Sequence, residues 1–173
     1  MTTRIQPTVH DSAFVTNDTV IPGTTGGLSI ESVYHTCSPA AGDTIDVDVR
    51  IENTPGPIDA AGVDFAYNAA LLQYAGHRAG NLTVAWPFFD AAQLVNVIRV
   101  GGFTSTPIPA GTSGVFVTLR FVLNCCDSST STQICTQTLV DDLAAMSGAC
   151  GNVVCIPVAT RPSTWGAVKS LYR

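Results

Sequence analysis

Ala41-Gly-Asp-Thr-Ile-Asp-Val-Asp-Val-Arg-Ile-Glu52 decides the fold class, because from Thr44 onward its polar and apolar residues alternate without a slip. In an extended chain successive side chains point to opposite faces, so Ile45, Val47, Val49 and Ile51 share one side and Asp46, Asp48, Arg50 and Glu52 the other. A strand with one dry and one wet face belongs to an antiparallel sheet that covers a core on one side only. The carboxylates on the wet side read as ordinary charge alternation, since Arg50 continues their row.

The same period recurs on both sides of this segment. Leu28, Ile30 and Val33 introduce a first strand after the turn residues Pro22-Gly-Thr-Thr-Gly-Gly27, and Pro39 to Asp43 turns it. Thr54-Pro-Gly-Pro57 breaks the chain before a strand over Ile58 to Tyr67, and Asn68 to Leu72 form a turn or helical half-turn. Short strands are expected at Leu82 to Trp86 and Val95 to Val100, with turns at Gly101-Gly102 and Pro107 to Gly111. Val115, Val117, Leu119, Phe121 and Leu123 then form a long central strand, and Val153 to Val158 a closing one. About eight or nine short strands separated by Gly and Pro predict an all-β, antiparallel, jelly-roll-like sandwich. Its expected limits are 28–160, with an extended N-terminal segment over 1–27 and a tail over 161–173. In that tail Ser163 or Thr164 would cap a short helix bearing Trp165, Val168 and Leu171 or Tyr172 on one side.

Three blocks carry a family resemblance: Ala41 to Ile51, Gly62-Val-Asp-Phe-Ala-Tyr-Asn-Ala-Ala-Leu-Leu72, and Gly114-Val-Phe-Val-Thr-Leu-Arg-Phe-Val-Leu123. Together they resemble a cohesin module. The likeness spans about half the chain and continues more weakly from Leu139 to Val158. It departs at the turn, where Tyr67-Asn-Ala-Ala-Leu71 lacks the family's Asp-Pro. The resemblance implies a non-catalytic β-sandwich that is extracellular or on the cell surface. It also implies a dockerin-like protein partner, or attachment in polysaccharide-degrading assemblies, through the strands around Val63 to Tyr67 and Val95 to Phe103.

Composition agrees with an export-type β-protein. Only 12% of residues are charged and the net charge is −5, with a single Lys, so no basic nucleic-acid footprint exists. No apolar run approaches the eighteen or so residues of a spanning helix. The six cysteines, Cys37, Cys125, Cys126, Cys135, Cys150 and Cys155, read as disulfide partners of open connectivity. Cys135 with Cys125 or Cys126 would close a short loop, whereas the vicinal pair would strain its own peptide bond. Zinc is the rival reading, but no Cys-x2-Cys pair or neighbouring His supports it.

No nucleophile elbow, His-Glu-x-x-His motif or phosphate loop is present, and His10, His35 and His77 have no catalytic neighbours in sequence, so no enzyme and no cofactor are expected. Asp43, Asp141 and Asp142 are weak calcium candidates without an acidic binding loop. Trp86-Pro-Phe-Phe89 contains a carbohydrate- or partner-binding set, Trp86, Phe88 and Phe89, with Tyr67 and Tyr74 as auxiliaries; the competing reading is a loop plugging the core. Asn17 and Asn81 head glycosylation-type triplets. Finally, Phe14, Val15, Val20 and Ile21 would anchor an N-terminal strand donated to another copy, the basis of a self-assembling filament or surface-layer reading.

Overall fold

The computed structural model of the protein describes residues 26–37, 42–124 and 129–157. Ten strands fill them: β1 (Gly27–Ile30), β2 (Val33–Cys37), β3 (Thr44–Glu52), β4 (Ile58–Tyr67), β5 (Leu72–Ala79), β6 (Phe88–Gln93), β7 (Val97–Ile108), β8 (Gly114–Leu123), β9 (Thr130–Asp141) and β10 (Cys150–Pro157). They form two packed sheets, β1-β3-β8-β5 and β2-β10-β9-β4-β7-β6. All ladders are antiparallel except β2 with β10, which run parallel. The single first strand expected from Leu28 to Val33 is therefore two. After Glu31 and Ser32 the chain leaves the small sheet and crosses to the edge of the large one.

The core lies between the sheets. Val47, Val49 and Ile51 of β3 are sealed against Val63 and Phe65 of β4, Ile98 and Val100 of β7 and Phe121 of β8. This is the sandwich the alternating segments predict. In β8 both Phe116 and Val117 are fully buried, which strict alternation forbids. A register shift opposite Val49 and Arg50 inserts the extra residue and lets both rings and methyls face inward. Leu143 and Met146, in the turns joining β9 to β10, close one end of the core.

Several expectations change here. Leu82 to Trp86 is not a strand but a helical turn: Gly80 O accepts from Thr83 N and Val84 N at 3.1 and 2.8 Å. Inside it the buried Thr83 hydroxyl donates to Phe116 O at 2.6 Å and accepts from Gly80 N at 3.1 Å, tying the turn to the bulged part of β8. Gly101-Gly102 is not a turn; both lie within the twelve-residue β7. Strands β5, β6 and β9 add to the expected set. The half-turn after Tyr67 is present, with Leu72 N donating to Asn68 O at 2.9 Å and Ala70 N to Asn68 Oδ1 at 3.0 Å. Asn68 thus supplies the side-chain acceptor at the turn that lacks Asp-Pro. The helix expected over 163–172, and His10, Asn17, Phe14, Val15, Val20 and Ile21, lie outside the described residues.

Candidate functional site

The outer face of the six-stranded sheet carries a groove that follows from its register. Along β4 and β7, outward-facing partners succeed one another as Ala60 with Phe103, Gly62 with Gly101, and Asp64 with Arg99. The middle pair has no side chains, so the sheet backbone itself is the floor. One wall is aromatic: Phe88 from β6 stacks on Phe103 with ring centroids 4.6 Å apart and planes 19° from parallel, and both rings are more than half exposed. The other wall is polar, since Arg99 holds Asp64 through two bonds of 2.8 Å each. Those hydrogen bonds and the guanidinium charge keep the Asp64 carboxyl below its ordinary pKa. Across the strands the floor ends at Asp90 beside Gly101 on β6 and at Val140 beside Gly62 on β9. The depression has a volume of about 490 Å³, and Asp141 lines its far end.

The opposite sheet face is built differently. Asp46 of β3 is gripped by Arg120 Nε at 2.8 Å and Arg78 Nη2 at 2.7 Å, which lowers its pKa, chiefly through the bond to Arg120. Asp48 accepts from Thr118 Oγ1 at 2.7 Å. Asp46 and Asp48 are thus satisfied by cross-strand neighbours, while Arg50 pairs with Glu52 along β3 itself at 3.4 Å. The charged row of the opening segment is thus a hydrogen-bonded surface.

The aromatic candidates do not form one platform. Trp86 is 8% exposed and packs edge-on against Phe89 and Phe116, so it plugs the core end. Phe89 follows it inward, 5.4 Å from Phe116. Tyr67 is buried, with its hydroxyl accepting from Gln93 Nε2 at 2.7 Å. Tyr74 packs its edge on Phe121 and meets His77 Nδ1 at 3.2 Å; burial raises its pKa. Only Phe88 of the five is presented to solvent, and its stacking partner is Phe103, which the sequence offers only as the end of a contact strand and not as an aromatic candidate. His77 sits in β5 between Tyr74, Phe89 and Asp90.

The carboxylates do not converge either. Asp43 lies 3.3 Å from His35. Asp142 accepts from the backbone N–H groups of Asp59 and Ala60 at 2.8 and 3.1 Å, which lowers its pKa and fastens the β9 end to β4. Asp141 takes a left-handed φ of 57° at that corner. Among the described residues no group of three or more His, Cys, Asp and Glu is arranged for a metal ion. Asn81 is occupied structurally, its Oδ1 accepting from Val115 N at 2.7 Å. Cys135 does not pair with Cys125 or Cys126; it faces Cys150 in register across β9 and β10 and is bonded to it. The buried Cys155 lies on β10, the side chain of Cys37 and all of Cys125 and Cys126 lying outside the described set.

The described residues form a two-sheet sandwich with an exposed aromatic and polar groove on one sheet. The cohesin domain profile matches residues 30–152. The chain belongs to the cohesin domain family. Solved structures with this fold include a non-cellulosomal cohesin from the archaeon Archaeoglobus fulgidus, at 18% identity and TM-score 0.60, covering 87% of this chain and 100% of that one. A type I cohesin–dockerin complex from Clostridium thermocellum matches at 13% identity and TM-score 0.61, covering 79% and 96%. A type III cohesin from a cell-surface anchoring scaffoldin of Ruminococcus flavefaciens matches at 15% and 0.61, covering 78% and 89%. No curated protein matches the sequence. Among the described residues no helix is long and apolar enough to cross a membrane.

Proposed function

We propose that this chain is a non-catalytic binding module, extracellular or on the cell surface, that captures a dockerin-like protein partner on the outer face of the six-stranded sheet. The groove over Gly62 and Gly101 carries this reading. Its walls, Phe103 and Arg99, stand four residues apart on β7, a separation of roughly 13 Å along a strand. An α-helix with its side chains is about 10–12 Å across. A partner helix laid across the strands would bring apolar residues onto Phe88 and Phe103 and basic residues toward Asp90 and Asp141. Family membership supports the class of partner, and two of the structures cited above concern a cohesin with its dockerin or a cohesin of an anchoring scaffoldin. Within this proposal residues 28–160 are the module, and 1–27 and 161–173 are segments attached to it. Attachment to a carbohydrate-degrading assembly would come through the partner, not through a sugar stacked on Trp86.

The test is titration calorimetry of the full chain against dockerin modules of several types. Binding by at least one is expected, with Phe103→Ala weakening it at least tenfold, as for a central aromatic anchor. Arg120→Ala on the other sheet should leave affinity within about twofold, as expected of a residue outside the contact. Equal losses from both substitutions would refute the assignment of the face. A second reading, strand donation by the N-terminal segment into a filament, is supported by one feature: the outer edge of β6 has no partner strand among the described residues.

A further inference from the structure

The β6 edge is fitted to a second copy of the same strand. Leu94 N donates to Val97 O at 2.8 Å and closes the β6–β7 hairpin, which fixes the parity of the ladder. Phe88, Asp90 and Ala92 therefore exchange bonds with β7, while Phe89, Ala91 and Gln93 turn their N–H and C=O groups to the outer edge. In agreement, Ala91 N donates at 2.8 Å to the carboxylate of Asp90 beside it and not to β7. Natural sheets blunt such edges with short strands, bulges, Pro or Lys. Strand β1 has four residues, β2 has five, and β5 is broken by a register shift and Gly76 at φ 134°. By contrast β6 runs six residues without a register shift, Pro or cation, starts at exposed Phe88 and is followed by exposed Leu94 and Val95; its one charge is Asp90, whose carboxylate caps the Ala91 N–H, lies 3.7 Å from His77 of β5, and must release that N–H for the edge to pair.

We propose that two copies of this chain pair antiparallel along β6 about a two-fold axis at Ala91. In that register Phe89 bonds to Gln93 of the second copy, Phe88 lies opposite its Leu94, and Asp90 lies opposite its Ala92. The sequence disfavours the neighbouring registers. Pairing Phe89 with Ala91 sets Asp90 against Asp90, and pairing Ala91 with Gln93 sets Asp90 against Leu94. The axis stands normal to the sheet, so the two six-stranded sheets become one and both grooves open on the same side. A dimer would therefore engage a divalent partner with the gain of an intramolecular second contact.

A pairing of this length falls at the small end of protein interfaces, with micromolar dissociation. The experiment is sedimentation equilibrium of the full chain from about 10 to about 500 µM, the range such an interface demands. The mass should rise from 18.0 kDa toward twice that value with concentration. Ala91→Pro removes an N–H that β7 does not use, so the strand is retained while the edge is blocked and the mass stays monomeric. Ala92→Asp faces Asp90 of the second copy and should raise the dissociation constant several-fold, and Ala92→Lys should lower it. Val15→Asp with Ile21→Asp, in the full chain, should change nothing. The proposal is overturned if the wild type stays at monomer mass throughout, if Ala91→Pro or the Ala92 pair associates like the wild type, or if the N-terminal substitutions abolish association. The last result would assign the edge to a donated strand.

Discussion

Neighbouring glycines on β7 should respond unequally to the same substitution. A methyl at Gly101 would stand on the groove floor, 3.2 Å from Ala61 O and 3.7 Å from the Gly62 Cα. Replacing strand glycine by alanine gains about 0.5–1 kcal/mol from backbone entropy. The first contact needs a shift of a few tenths of an ångström, which offsets much of that gain, so Gly101→Ala should stay within about 1 kcal/mol of the wild type. At Gly102 the Cβ would fall on the backbone carbonyl oxygen of Phe88 and 3.0 Å from the Phe89 Cα. Backbone cannot swing aside as a side chain can, so β6 must move from β7, and overpacking of this kind costs about 1–3 kcal/mol or more. Urea unfolding, followed by far-ultraviolet circular dichroism with the m-value fitted, reads both. Equal stability of the two variants, or a less stable Gly101→Ala, would refute the β6–β7 register and with it the groove.

Other expectations follow from the same geometry. The Cys135–Cys150 bridge closes a separation of 15 residues, for which the chain-entropy treatment gives about 3 kcal/mol, so Cys135→Ala with Cys150→Ala should lower the urea midpoint accordingly; a loss under about 1 kcal/mol would argue against it. Thr83→Val keeps the shape but strips the hydroxyl that joins Gly80 N to Phe116 O in a buried site, at a cost of about 1–3 kcal/mol by thermal or urea unfolding. The carboxyls of Asp46, Asp64 and Asp142 titrate lower when folded than when unfolded. Their stabilisation is therefore complete above the ordinary carboxylate value near pH ~4 and is lost as pH falls through the folded values. The urea midpoint should be flat from about pH 7 to 5 and fall below about pH 4, and Asp142→Asn should reduce that slope even at high salt, because its partners are backbone amides.

The parts of this fold that are legible in the sequence are those where burial alone sets the residue pattern. Strands β3, β4 and the outer half of β8 each cover the core with one face, and their alternation shows it. Strand β9, Thr130 to Asp141, buries mainly Ile134 and presents Thr and Gln elsewhere; its strand state comes from pairing with β4 and β10, which no local pattern records. Strand β5 is interrupted by Gly76, and β6 is too short for a period to emerge. Leu82 to Trp86 has strand composition, yet Gly80 and the Thr83 hydroxyl wind it into a turn that plugs the sandwich end. The groove was hidden for a related reason. Gly101-Gly102 has turn chemistry on local grounds, and only its register against Gly62 makes it a floor. The contact strands named from the family resemblance, around Val63 to Tyr67 and Val95 to Phe103, do contribute the walls Asp64, Arg99 and Phe103. Trp86, Phe88 and Phe89 form one candidate set in the sequence, yet Phe88 is exposed while Trp86 and Phe89 pack inward; alternation after the proline separates Phe88 from Phe89.

The central claim is that a protein partner docks on the outer face of the six-stranded sheet. Its most direct test is a backbone amide correlation spectrum of the isotope-labelled full chain, titrated with a dockerin module that binds. The account predicts that the shifted resonances concentrate at Ala60 to Asp64, Phe88 to Asp90, Arg99 to Phe103 and Thr138 to Asp141, while Thr44 to Asp48 and Thr118 to Val122 stay in place. Shifts concentrated on β3 and β8, with the groove unmoved, would contradict it.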